Sequence, residues 1–96
     1  MKAIIIIYDQ ELQNEVDFIL RSSQIQYFSR FDGVKGQGDS GLKLGDAVGP
    51  GLNSAYWIVL QDDQTKTVIR DLKDFKNHKL KNKGVQIFVL PVEEMI

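Results

Sequence analysis

The chain has 96 residues, of which 43% are hydrophobic, and 12 basic against 13 acidic side chains give it a formal net charge of -1. With no cysteine and one histidine, His78, disulfides, thiolate catalysis and the usual zinc or copper ligand sets are excluded, and the balanced charge offers no global field for nucleic acid. A domain this small buries only roughly 60–65% of the surface its unfolded chain exposes, so oligomerisation is the expected supplement to its core.

Met1-Lys2 opens onto the apolar run Ala3 to Ile7, too short to span a bilayer and without a signal-peptide cleavage site. A cytoplasmic protein with no membrane insertion is expected. Continuing to Tyr8, the run is apolar at successive positions, as in a central strand covered on both faces. Asp9 is placed to cap a helix, with Glu11 in its first turn, and Leu12, Val16, Ile19 and Leu20 recur at helical spacing. That helix is predicted to reach Ser22 or Ser23. From Ile25 the period falls to two, with Tyr27, Ser29, Phe31 and Gly33 alternating against Phe28, Arg30, Asp32 and Val34.

The stretch Gly33 to Asn53 holds seven of the eight glycines and one of the two prolines, a composition that marks a mobile or functional loop. Ser54 to Gln61 is a third strand, rich in aromatic and β-branched residues. Val68, Ile69, Leu72 and Phe75 mark the core face of a second helix, with Lys66, Arg70, Lys73 and Lys76 outside. After a polar connection ending at Gly84, Val85 to Leu90 forms a fourth strand before Pro91. The order is βαββαβ. Right-handed crossovers turn it into an α+β, ferredoxin-like fold: a four-stranded antiparallel sheet with both helices on one face, in a single domain over residues 1–96. The other face would carry Tyr27, Phe31, Phe88 and either Tyr56 or Trp57, and should pack on other subunits.

Gly36-Gln37-Gly38-Asp39-Ser40-Gly41 fits the dinucleotide pattern, but the glycines lead into a loop and a strand. No helix presents its amino end to a pyrophosphate, and Asp39 adds a carboxylate there. The connection from Lys76 to Gly84 concentrates lysines that either hold a phosphate-bearing ligand or serve as a solvated surface. His78 has no partner at catalytic spacing, and Glu93-Glu94 has no accompanying pocket. No enzyme and no metal site are expected.

Ile87-Phe88-Val89-Leu90-Pro91-Val92-Glu93-Glu94 is similar to the closing strand of PII signalling proteins. Gly33-Val34-Lys35-Gly36-Gln37-Gly38 resembles their Val-Lys-Gly-x-Gly segment at the start of the T-loop. The resemblance implies a regulatory homotrimer with an effector, an adenine nucleotide in the family, held between subunits. It makes residues 38–53 a T-loop-like segment that docks on a transporter or enzyme. Gly36, Gly38 and Ser40 at the loop base, and Lys79, Lys81, Lys83 and Gly84 before the last strand, are the implied effector-cleft residues. The sequence departs from the family where Thr-Gly-x-x-Gly-Asp-Gly-Lys is replaced by Lys79-Leu80-Lys81-Asn82-Lys83-Gly84-Val85-Gln86. It departs again in the absence of a loop tyrosine, which excludes nucleotidylation there. A PII-like scaffold trimer without nucleotide binding is the alternative. An acylphosphatase-type enzyme of the same fold would need a basic anion cradle where Tyr8-Asp9-Gln10-Glu11 is acidic.

Overall fold

The computed structural model describes residues 1–38, 41–78 and 84–96. Strand β1 (Lys2–Asp9) is followed by a 3-10 turn (Gln10–Leu12) and helix α1 (Gln13–Ser22). Asp9 caps the turn, its carboxylate accepting the Glu11 N–H at 2.9 Å. Helix α1 closes through paired backbone bonds, Gln24 N–H to Arg21 and Ile25 N–H to Leu20, with Gln24 in the left-handed region at φ 58°. That six-residue closure ends the helix and returns Ile25 to the core. It also delays the second strand, which the sequence period had begun at Ile25: β2 spans Phe28–Val34.

The glycine-rich stretch, expected to be a loop, contains a small hairpin, β3 (Gly36–Gly38) with β4 (Gly41–Lys43). Strand β5 (Asn53–Leu60), helix α2 (Asp62–His78) and strand β6 (Val85–Pro91) complete the order. The main sheet runs β2-β5-β1-β6, antiparallel throughout, which is the ferredoxin-like arrangement. The register of β2 on β5 breaks between Phe31 and Val34, where Gly33 sits at φ 69° in a bulge.

Period-two alternation divides β1 between the faces. Ile4, Ile6 and Tyr8 join Val16, Leu20, Tyr56, Ile58, Val68 and Leu72 in one buried cluster under the helices. Ile5 lies opposite Trp57 and Phe88 on the other face, and Ala3 opposite Val59 and Leu90. Trp57, Phe31, Phe88 and Leu90 remain substantially exposed on that face. Tyr56, one of the two alternatives for it, instead faces the core, stacked on Tyr8 with ring centroids 5.8 Å apart. Tyr27 precedes β2 and is exposed.

Candidate functional site

A cleft of about 590 Å³ opens where β2 and β5 meet the hairpin, beside the end of α2 and the start of β6. Its cationic side chains are Lys35, just before β3, and Lys76, in the last turn of α2; no carboxylate lines it among the described residues. Helix C-termini favour cations, so Lys76 is stabilised where the cleft needs positive charge. Gln37, Asn53 and Gln86 add amide donors and acceptors, and Ile7, Val34, Val85 and Phe88 provide an apolar floor. A cradle of this kind suits a ligand with an anionic end and a flat apolar body.

Gly36, Gly38 and Gly84 all line this cleft. At Gly36 and Gly38 a Cβ would meet no atom of a described residue within 4 Å, so their bare backbone leaves room for a bound group. Ser40, Lys79, Lys81 and Lys83 lie outside the described residues. Lys35 belongs to the segment that carries the resemblance, and Lys76 opens the lysine-rich connection whose sequence leaves a phosphate-holding cluster and a solvated surface both open. Asn53 and Gln86 gave no signal in the sequence, because only the pairing of β5 and β6 with β1 brings them to one end of the sheet.

Asp9 ties the cleft to the glycine-rich segment. Its N–H donates to the Gly84 carbonyl at 3.0 Å, and its carboxylate receives the Lys43 ammonium at 3.0 Å. Lys43 is only 7% exposed, which makes it a structural cation rather than a ligand contact. Partial burial works against the Asp9 carboxylate, but the Glu11 N–H and Lys43 outweigh it and hold its pKa below the usual value. Beyond Lys43 the chain folds on itself. The Asp46 carboxylate accepts the Val48 and Gly49 N–H groups at 3.0 and 2.9 Å, and the Gly49 carbonyl accepts those of Leu44 and Gly45. Gly49 is required by close approach, since a Cβ there would lie 2.9 Å from Leu42 Cγ and 3.0 Å from Leu44 N.

A second polar cluster lies under α1. Tyr8 Oη donates to Gln13 at 2.6 Å, Gln13 donates to Asp17 at 2.8 Å, and Tyr56 Oη donates to Asp17. Burial, then the neighbouring Tyr56, pushes the Tyr8 phenol well above its ordinary pKa. The cluster has no buried polar side-chain atom without a partner. Its phenols are therefore held as neutral donors, which suits structure better than acid–base chemistry. Among the described residues no group of three or more His, Cys, Asp or Glu side chains could hold a metal ion. No helix among them is long and apolar enough to cross a membrane.

The family model described as Nitrogen regulatory protein P-II matches residues 1–96. No curated protein matches the sequence. Among solved structures, the chain resembles CPII, a nitrogen regulatory PII-like protein from Thiomonas intermedia K12, bound to ADP, AMP and bicarbonate. That match has a TM-score of 0.70 at 12% identity and covers 93% of this chain and 88% of the other. CPII from Thiomonas intermedia K12 bound to ADP, AMP and acetate gives 0.68 at 10% identity, covering 93% and 82%. Its apo form gives 0.66 at 9%, covering 92% and 84%. At such identities the likeness is one of fold.

Proposed function

The chain belongs to the nitrogen regulatory protein P-II family, and from that premise we propose a regulatory protein, not an enzyme, that binds a small anionic effector in the cleft beside Gly36 and Gly84. The observation that carries this reading is the lining itself: two lysines, open glycine backbone and an apolar floor, with no carboxylate among the described residues. An adenine nucleotide fits that chemistry, with phosphates against Lys35 and Lys76 and the base near Phe88. The nucleotides bound by CPII support the same choice.

The proposed working unit is a cytoplasmic homotrimer. Support comes from the apolar sheet face, where Phe31, Trp57 and Phe88 are 44–56% exposed, a grouping of large apolar side chains of the kind that marks a contact surface. Phe88 belongs to both that face and the cleft, so a bound effector would sit at the rim of the subunit contact. Residues 38–53 take the T-loop part in this reading. Tied to the cleft through Lys43, Asp9 and Gly84, they would carry effector occupancy to a transporter or enzyme partner. Nucleic acid and membrane have no part in it.

Thermal unfolding against ATP, ADP, AMP, cyclic nucleotides and bicarbonate, with the mass in solution recorded, tests the proposal. An effector at 100 times its Kd adds about 2.7 kcal/mol to the folded state. A trimer stabilised by one nucleotide is the expected result. A trimer stabilised by none would replace effector sensing with the scaffold role, towards which the altered residues 79–86 lean, and a monomer would remove the assembly.

A further inference from the structure

We propose that the groove between α1 and α2 docks a short cationic amphipathic helix of a partner protein. The groove is about 740 Å³ and lies on the opposite side of the sheet from the exposed apolar face. Glu15, Phe18, Ile19 and Ser22 of α1 follow i, i+3, i+4, i+7 spacing, and Asp71, Asp74, Phe75 and His78 of α2 repeat it. Each ridge is therefore two turns long, about 10 Å, which accommodates two turns of a third helix laid between them.

The groove has an apolar floor and an acidic rim. Phe18 is 61% exposed, whereas Val16 and Leu20 of the same helix are buried. An aromatic ring left in water beside Ile19 and Phe75 is the kind of anchor that a partner's leucine covers. Glu15, Asp71 and Asp74 line the groove, and no lysine or arginine does among the described residues. Asp71 is partly engaged by Arg70 at 3.6 Å and the Ser23 hydroxyl at 3.3 Å. Glu15 and Asp74 form no ion pair with a described residue. The whole chain has a net charge of only -1, so this acidity is local. It selects lysine or arginine flanking the partner's apolar stripe, and it repels both an anionic membrane and the chain's own Glu93-Glu94 tail.

The test titrates labelled amphipathic Leu/Lys and Leu/Glu peptides with the same apolar spacing against the full chain. Fluorescence anisotropy reads affinity, and amide shifts locate the contact. The Leu/Lys peptide should bind saturably and shift α1 and α2 rather than the exposed sheet face. The double variant Glu15→Lys/Asp74→Lys should weaken binding about tenfold or more, and Phe18→Ser should do so without changing the circular dichroism. Lys66→Gln, on the other flank of α2, should change nothing. Equal binding of the Leu/Glu peptide, no saturable binding, or indifference to the double variant would overturn the proposal. Self-association lost in Phe18→Ser would overturn it in favour of a second copy of this chain.

Discussion

On its helix side the sheet holds Ile4, Ile6, Tyr8, Tyr56 and Ile58 at 2% exposure or less, while on its other side Phe31, Trp57 and Phe88 keep 44–56%. The same strands supply both sets, since β1 sends Ile4 and Ile6 one way and Ile5 the other, and β5 divides Tyr56 from Trp57 likewise. Apolar character therefore does not distinguish the faces; the helices do. A residue under α1 and α2 contributes its full transfer free energy within one chain. A residue on the open face realises it only when something else covers the sheet.

That difference predicts the largest contrast available by mutation. Ile58→Ala should cost about 2–5 kcal/mol in denaturant unfolding, because the buried site cannot collapse onto the smaller side chain. Trp57→Asp should leave the secondary structure of the chain intact while lowering its mass in solution, as read by light scattering. Equal destabilisation by the two changes at all protein concentrations would erase the distinction between the faces.

Next in size is the link between the cleft and the glycine-rich segment. Asp9→Asn leaves the buried Lys43 ammonium without its counter-ion, at a cost of about 1–3 kcal/mol. The sign of the pH dependence follows from the depressed Asp9 pKa. Its contribution is present above the unfolded carboxylate value of about 3.9 and is lost as pH falls through the lower folded value. Acid titration of stability should thus be shallower in Asp9→Asn than in the parent; superimposable curves would show that the pair contributes nothing.

Gly49→Ala sharpens the same region. Its Cβ would collide with Leu42 and with the Leu44 backbone, loosening the turn by about 1–3 kcal/mol and raising hydrogen exchange at Leu44 and Gly45. The Cβ of Gly36→Ala would meet no atom of a described residue within 4 Å, so any effect should fall on ligand binding and not on stability. The smallest expected change is a gain: Gln24→Gly relieves a left-handed residue at the end of α1 and should stabilise by about 0.5–1 kcal/mol.

Local periodicity carried most of the architecture. The continuous apolar run Ala3–Tyr8, the helical spacing of Val68, Leu72 and Phe75 and the strand composition around Trp57 each reflect short-range geometry, and each element formed within a few residues of its predicted bounds. Where the prediction slipped, at Ile25, the cause was a helix closure with Gln24 in the glycine-favoured region, for which Ser23-Gln24 gives no turn signal. The hairpin and the Asp46 turn inside the glycine-rich stretch escaped because no period runs through them; backbone bonds to Gly49 organise the turn.

From the sequence alone came the order of the main-sheet strands and helices, the ferredoxin-like topology and the resemblance to PII proteins, because spacing and motif are properties of the chain taken in order. Only the tertiary structure decided that Trp57 and not Tyr56 faces outward, since strand register fixes that choice and a shift of one residue reverses it. It alone brought Lys35 and Lys76 into one cleft and paired Lys43 with Asp9. Contacts between residues so far apart in sequence depend on strand register and on the path of the connections, and no local pattern encodes those.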